Sequence, residues 1–164
     1  MSPLMSLPLL TPLDIPTLRA RGVPDVFNIG QADRVRFHEL DVLNHVNNAV
    51  YLSWFESFRV AYMRDYGIAN FVASGERPVL VLRNVDVEYK APLHLDEEYI
   101  VVGRSLSYRR TSWKMQYAVV ARGQVCAVGH AVIVLMEEDA VTRKALPQAF
   151  IDVITEKDGA VFES

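Results

Sequence analysis

The stretch that decides the fold runs from residue 36 to residue 66 and reads RFHELDVLNHVNNAVYLSWFESFRVAYMRDY. Its first third is polar and turn-prone, whereas from Asn48 onwards apolar side chains recur every three to four residues, the period of an α-helix. Asn47 or Asn48 can cap that helix, because a short side-chain oxygen accepts from the unpaired amides of the first turn. The pattern therefore predicts a helix over 48–66 that stops at Gly67, a residue typical just beyond a helix C-terminus.

The predicted helix has an unusually wide aromatic face. Its two adjacent apolar stripes consist of Val50, Trp54, Phe58 and Ala61, and of Tyr51, Phe55, Phe58 and Tyr62. A helix lying on a protein surface buries a narrower stripe than this. The sequence therefore predicts that a larger element wraps around the helix.

The segments on either side of the helix have strand-like patterns. Val35 and Phe37 alternate with arginines and predict one strand before it. Four strands are predicted after it, over residues 85–89, 99–108, 112–121 and 125–136, with short links at 109–111 and 122–124 that indicate antiparallel hairpins. We expect a strand, one long helix and a meander of four strands, followed by a final helix over 147–155. One apolar helix against an antiparallel sheet is an α+β architecture, and a sheet that curls around the helix buries it most simply.

The first 30 residues differ from the rest in composition, because they hold five of the eight prolines. We predict an irregular N-terminal extension over residues 1–30, with a short helix near 15–21, that lies on the domain or on a neighbouring subunit. Residues 31–164 are predicted to form the single domain.

Composition narrows the classes of function. The chain has 164 residues, 51% of them hydrophobic, which fits one domain with a real core. Its formal net charge of −3 does not favour nucleic acid as a partner, and a phosphate-bearing ligand would need a local basic cluster. The apolar runs fall short of the roughly 18 residues that span a bilayer, so no membrane partner is expected. Cys126, the single cysteine, allows neither an intramolecular disulfide nor a cysteine metal cage, which suits a cytoplasmic location.

The loop before the helix carries the candidate chemistry. Asp41 lies six or seven residues before the predicted helix start, where unpaired N–H groups and the helix dipole favour negative charge. An oxyanion forming on a thioester carbonyl would be stabilised there, and a nearby carboxylate can attack the carbonyl or activate a water. The spacing is also typical of an aspartate that merely caps a helix or braces a turn.

The wider motif resembles the signature of the 4-hydroxybenzoyl-CoA thioesterase family, the acyl-CoA thioesterase branch of the hotdog superfamily. The matching residues are Asp41, the run His45-Val46-Asn47-Asn48, Tyr51, and the pair Phe55-Glu56 followed by Arg59. The resemblance covers about residues 33–138. It implies a hotdog fold, an antiparallel sheet wrapped around one long central helix, and a homodimer that often pairs into a homotetramer. It also implies an acyl-CoA substrate and an active site at the subunit interface, and we expect neither a cofactor nor a metal ion.

Carried over by motif position, the resemblance places the catalytic carboxylate on Asp41 and the carbonyl-polarising backbone amide at about Asn48. His45 is expected to orient the loop or to contact the thioester. This sequence has Asn44 where the family usually has glycine, and Glu39 where it often has aspartate. Asparagine tolerates the left-handed conformation better than most residues, so the loop shape can survive the first change.

Five further residues are candidates for substrate binding. Tyr51 is placed to line an acyl pocket, and Glu56 to reach the site of a neighbouring subunit. Lys90, Arg109 and Arg110 are candidates for the phosphates of CoA, because guanidinium forks suit phosphate. Core packing for Tyr51 and a solvated turn for the two arginines are the plainer interpretations.

Two other functions remain open at this point. A hotdog enoyl-CoA hydratase or dehydratase would use Asp41 and His45 for proton transfer, although the surrounding motif matches the thioesterase signature instead. A non-catalytic acyl-binding module would use the same pocket without a reactive carboxylate. A metal site made of His38, Asp41 and His45 matches no common ligand spacing.

Overall fold

The computed structural model describes residues 5–66 and 79–164 of the chain. Apart from a short 3-10 helix at Phe37–Glu39, its elements in chain order are α1 (Ile15–Ala20), β1 (Gly30–Arg34), α2 (Val50–Asp65), β2 (Val79–Tyr89), β3 (Glu98–Tyr108), β4 (Ser112–Ala121), β5 (Gln124–Met136), α3 (Gln148–Asp158) and β6 (Val161–Phe162). The antiparallel sheet curls around α2, and the predicted hotdog fold is confirmed.

The strand order of the sheet is β1-β3-β4-β5-β2, with β6 parallel to β3. Strands β3, β4 and β5 form the predicted hairpins, and the two-residue turn Arg122-Gly123 has positive φ at both positions, 53° and 73°, as type I′ hairpins require. The predicted meander of four strands is wrong at β2, which pairs with β5 and not with β3. Residues 90–97 cross the end of the sheet, so neighbours in sequence are not neighbours in space.

The first predicted strand is also displaced. Strand β1 ends at Arg34, and Phe37, expected in a strand, lies 78% exposed in the 3-10 helix. The chain turns here because the Glu39 carboxylate accepts from the backbone N–H of Arg36, 2.8 Å away. Val35 stays buried beside the sheet, its N–H bonded to the carbonyl of Glu97.

Helix α2 starts two residues later than predicted. Its N-cap is Ala49, whose side chain caps nothing, so neither Asn47 nor Asn48 is the cap. Asn47 instead accepts from the N–H of Ala49 through Oδ1 at 2.9 Å, bracing the turn that leads into the helix. The helix ends with Tyr66 as its C-cap, and the predicted stop at Gly67 lies outside the described residues.

Two glycines let α2 lie directly on the sheet. An ideal Cβ on Gly129 in β5 would come 2.5 Å from the ring of Phe55, and one on Gly103 in β3 would come 2.5 Å from the ring of Phe58. Both rings are fully buried, and Phe55 also stacks on Tyr117 of β4 with centroids 4.7 Å apart. The missing side chains therefore set the depth of the helix in the curl of the sheet.

The N-terminal extension packs on the outer side of its own sheet. Its short helix α1 appears where the sequence predicts it, with Asp14 accepting from the N–H of Thr17 at 2.8 Å. The apolar side chains that make this second core are Leu7, Leu13, Leu18, Val23 and Phe27 from the extension, and Ala32, Ile100, Val102, Ala118 and Val120 from the sheet. Segment 9–13 also bridges to the outer edge of β1, at Ala32 and Gln31.

The C-terminal helix α3 is pinned by one carboxylate. Asp158 accepts from the hydroxyls of Tyr62 and Tyr66 on α2 and, at 2.8 Å, from the backbone N–H of Ser105 on β3. Burial, reinforced by the nearby carboxylate, raises the pKa of both tyrosines, so both hydroxyls stay protonated as donors. This cluster closes the end of the helix far from the Asp41 loop.

The close approach of Phe55 to the sheet predicts that Gly129→Ala lowers the free energy of unfolding by about 1–3 kcal/mol, because the added methyl has no room beneath the ring. Urea unfolding followed by tryptophan fluorescence measures this. The double variant Gly129→Ala/Phe55→Leu should lose less stability than the two single losses added together, because the smaller side chain relieves the clash. A Gly129→Ala variant as stable as the natural protein would contradict this account of how α2 is seated.

Candidate active site

The loop before α2 is closed by backbone pairing. Leu40 and Val46 form an antiparallel bridge, and the N–H of Asn47 donates to the carbonyl of Glu39 at 2.8 Å. The N–H of Val46 also donates to the carbonyl of Leu93 at 2.9 Å, which ties the loop to the segment between β2 and β3. Residues 41–45 therefore form a tight protrusion whose base is held by this bridge and by the segment between β2 and β3.

Asp41 braces this protrusion from inside. Its Oδ1 accepts from the backbone N–H of Leu43 at 2.8 Å and from that of His45 at 3.3 Å, and its own N–H donates to the carbonyl of His45 at 2.8 Å. Asn44 takes the left-handed conformation with φ 62°, as expected for a residue that replaces the usual glycine. Within the described part of the chain, nothing donates to Oδ2 of Asp41, so one carboxylate oxygen is left for other chemistry.

The turn before α2 leaves a backbone donor unpaired close to this loop. Asn47 occupies the N–H groups of Ala49 and Val50 through its side-chain and backbone oxygens. The N–H of Asn48, where the family motif places the polarising amide, donates to no group in residues 5–66 or 79–164. The Tyr89 hydroxyl at the end of β2 donates to the Asn48 carbonyl at 2.6 Å and so fixes the entry to the helix.

Glu39 locks the loop to the core, a role that the sequence did not reveal. Its side chain is buried and accepts from the indole N–H of Trp54 through Oε2 at 2.7 Å, while Oε1 holds the Arg36 N–H. Trp54 in turn stacks on Tyr99 of β3 with centroids 3.9 Å apart. Trp54 thus packs in the core, and its hydrogen bond to Glu39 also ties α2 to the segment that leads into the Asp41 loop.

His45 meets a second histidine that the sequence did not single out. The rings of His45 and His94 lie edge to face, with centroids 5.1 Å apart and an interplanar angle of 86°. His94 Nδ1 lies 2.8 Å from Oε1 of Glu97, whose other oxygen is paired with Arg122. Burial raises the pKa of Glu97, but the hydrogen bonds from His94 and Arg122 outweigh it, and the net pKa lies below its usual range. Glu97 is therefore a carboxylate at neutral pH.

Tyr51 lies on the buried face of the first turn of α2. Its ring packs against Trp54 and Tyr89, with centroids 5.0 and 5.1 Å away. Burial raises its pKa to about 12, so the hydroxyl is neutral at physiological pH. The position fits core packing, and the role of lining an acyl pocket stays a prediction.

The other predicted binding residues fall into two groups. Lys90 directly follows Tyr89, at the same end of the strands as the Asp41 loop. Its Nζ lies 3.6 Å from Oε1 of Glu88. Arg109 and Arg110 are in the β3–β4 link at the opposite end of the strands, where Arg109 faces Glu163 at 3.6 Å. Since β4 is ten residues long, about 30 Å of strand separates that link from the turn near Asp41. The two arginines and Asp41 can share a site only if a second subunit brings these ends together.

Glu56 is exposed on α2, free to face a neighbour rather than its own core. Arg59, one turn later, donates to the hydroxyl of Tyr117 at 3.1 Å, so it serves the core. Across the described residues, no three His, Cys, Asp or Glu side chains converge as a metal set. None of the helices in the described part of the chain is long and apolar enough to cross a membrane.

Comparisons with known proteins agree on one family. The model of the thioesterase-like superfamily matches residues 35–154. A thioesterase-superfamily protein from Jannaschia sp. CCS1 has a structure with a TM-score of 0.87 and 36% sequence identity, covering 94% of this chain and 98% of that one. A thioesterase from Thermus thermophilus, complexed with coenzyme A and Zn, has a TM-score of 0.70 and 32% identity, covering 83% and 98%. The acyl-CoA thioester hydrolase YbgC of Escherichia coli is 25% identical over 119 residues, covering 72% of this chain and 89% of its own.

The left-handed residue in the Asp41 loop predicts a clear order of stability. Asn44→Val should lower the free energy of unfolding by about 1–2 kcal/mol, because a β-branched side chain is strained at positive φ. Asn44→Gly should be close to the natural protein, since glycine adopts this conformation freely. Chemical unfolding of the two variants measures the difference, and equal stabilities would mean that the loop does not hold Asn44 as described.

Proposed function

The chain belongs to the thioesterase-like superfamily, and from that premise we propose that it hydrolyses acyl-CoA thioesters with Asp41 as the reactive carboxylate. One observation at the Asp41 loop supports this proposal. A carboxylate with one unused oxygen lies in a rigid loop that leads directly into the unpaired N–H of Asn48. A carbonyl bound between the two would meet a base or nucleophile on one side and an electrophilic donor on the other.

The reaction can follow two routes with the same products. In one, Asp41 takes a proton from water, the hydroxide attacks the thioester carbonyl, and the C–S bond breaks. In the other, Asp41 attacks the carbonyl itself, CoA leaves as a thiolate, and water hydrolyses the resulting anhydride. In both, the N–H of Asn48 stabilises the charge that develops on the carbonyl oxygen, and the thiolate is protonated on release. His45, whose backbone is tied to Asp41, has the role of orienting the loop or contacting the thioester.

The choice of acyl-CoA as substrate class rests on the relatives. The Escherichia coli relative is named an acyl-CoA thioester hydrolase, and the Thermus thermophilus structure contains coenzyme A. On this chain, Tyr51 would border the acyl group beside Asn48. Lys90 lies at the same end of the strands as Asp41, where its side chain could contact the phosphates of the same CoA.

We also propose a homodimer built through β2. The edge of β1 is occupied by segment 9–13, whereas no described residue pairs with the outer edge of β2, an eleven-residue strand. Long exposed apolar edge strands favour pairing with another chain, and Val81 and Leu82 on this edge are 40% and 43% exposed. Antiparallel pairing about a twofold axis would bring the Val79 end of one β2 beside the Tyr89 end of the other.

Such a dimer would also join the two separated groups of site residues. Arg109 and Arg110 of one subunit would lie at the same end as Asp41 of the other, as a CoA site shared between subunits requires. Glu56 is exposed and could face that neighbour. In a homotetramer, the outer side of β5 and β2 is left uncovered by the extension, which packs on the outer side of β1, β3 and β4.

The role of Asp41 predicts that Asp41→Asn lowers kcat for thiol release by about 100-fold or more, because the amide is neither a base nor a nucleophile. A thiol-release assay over a panel of short, long and aromatic acyl-CoA thioesters measures this. The matched control is Asp139→Asn, since Asp139 braces a loop at the other end of β5 by accepting from Val141 and Thr142. Its kcat should stay within about two-fold of the natural value.

Three results would each redirect the proposal. Full activity in Asp41→Asn would remove Asp41 as the reactive group. Absence of thiol release from every thioester, with binding retained, would favour an acyl-binding module. Loss of enoyl absorbance from crotonyl-CoA without thiol release would favour a hydratase.

The free edge of β2 predicts that the natural protein sediments as a dimer of about twice the 18.5 kDa chain mass, and that Val81→Lys shifts it towards monomer. In a Val81→Lys dimer, two like charges would lie close together where the two β2 strands pair, and they would destabilise that pairing. Val141→Lys, at a loop residue that is 78% exposed, is the control and should leave the mass unchanged. Equal masses for natural protein and Val81→Lys would argue against pairing through this edge.

A further inference from the structure

A line of three polar side chains runs from the β4–β5 turn to the Asp41 loop. It consists of Arg122, Glu97 and His94, and the proposed reaction uses none of them. Arg122 pairs with Glu97 and also donates to the carbonyl of Pro92 at 3.1 Å. These contacts anchor segment 92–97, which lies beside the loop that contains Asp41, to the β4–β5 turn.

Glu97 fixes His94 at two points. Its Oε1 accepts from the backbone N–H of His94 at 2.9 Å and lies 2.8 Å from the ring Nδ1. Since Glu97 is ionised, Nδ1 carries the proton, and the other ring nitrogen points away from the carboxylate. The His94 side chain is 51% exposed, so this anchoring does not serve a buried core.

The anchored ring meets His45, a site residue whose side chain has no hydrogen-bonding partner among the described residues. The His45 imidazole forms no hydrogen bond with the described part of the protein, and its ring contact there is with His94, edge to face at 5.1 Å. The backbones of the two segments are joined next to this contact, where Val46 bonds to Leu93. An unanchored imidazole samples several rotamers, and a fixed ring against one face restricts it to fewer.

We propose that His94 is a positioning residue for the thioesterase reaction: Glu97 and Arg122 hold its ring, and that ring holds the His45 imidazole beside Asp41. The inference rests on the proposed function, because it gives His45 a fixed place in that reaction. It predicts energetic coupling between two histidines 49 positions apart. A histidine that only stabilised the loop would show no such dependence on His45.

The test is a double-mutant cycle on the full-length protein with an acyl-CoA that the natural protein hydrolyses. His94→Ala should lower kcat by about 10- to 100-fold with little change in KM, because a misplaced group costs rate rather than binding. In a His45→Ala background the same substitution should have almost no further effect. His94→Phe keeps a ring edge against His45 but loses the ring's bond to Glu97, so it should restore only part of kcat.

His130→Ala is the matched control. His130 also pairs with a carboxylate, Asp86, with 3.2 Å between Nδ1 and Oδ1, but on the pair of strands β5 and β2 rather than at the Asp41 loop. It should leave kcat and KM unchanged in both backgrounds. Urea unfolding of every variant separates lost stability from lost positioning.

The outcomes separate this inference from the proposed function. If His94→Ala lowers kcat equally with and without His45, or does not lower it at all, while Asp41→Asn abolishes activity, the positioning role is wrong and the thioesterase proposal stands. If Asp41→Asn stays fully active, the proposed role of Asp41 as the reactive group fails, whatever the result for His94.

Discussion

The contact between the rings of Phe55 and Phe58 and the glycines beneath them determines how the rest of the molecule is arranged. Gly129 and Gly103 leave space for these rings on the inner side of the sheet, so α2 lies deep in the curl rather than across it. Burial of this aromatic face drives the wrapping, because an α-helix that is apolar over so wide an arc is stable only when it is surrounded. The depth and direction of α2 then fix where the turn before it, with the unpaired Asn48 N–H, meets the end of β2.

Local patterns in the sequence predicted the elements better than their partners. The hairpins β3–β4 and β4–β5 follow from short links and continuous strand segments, and both were predicted correctly. The place of β2 next to β5 was not predictable in this way, because nothing local in residues 90–97 marks the crossing over the end of the sheet. The shift of β1 has a similar cause: the alternation around Val35 looked like a strand, and the contact that ends it comes from the Glu39 carboxylate.

The same division applies to the candidate site. Asp41, Asn44, His45 and Asn48 lie within eight residues, so a motif reveals them together. His94, Glu97 and Arg122 reach the loop only through the pairing of distant strands, and single residues of these types in a sequence have no visible purpose. The hydrogen bond from Trp54 to Glu39 is intermediate, because both residues were noticed, one as core and one as a departure from the family pattern, without a reason to connect them.

The two oxygens of the Asp41 carboxylate have separable roles, and this makes the site interpretable. Oδ1 accepts two backbone N–H groups and gives the loop its shape, a task that an amide oxygen performs equally well. Oδ2 accepts no hydrogen bond from the described residues. The contacts that shape the loop therefore do not need a negative charge on this oxygen. Asp139, which also braces a loop, differs in this respect, because both of its carboxylate oxygens accept hydrogen bonds from that loop. The oxygen that accepts no hydrogen bond from the described residues is therefore the feature of Asp41 that the proposed reaction would use.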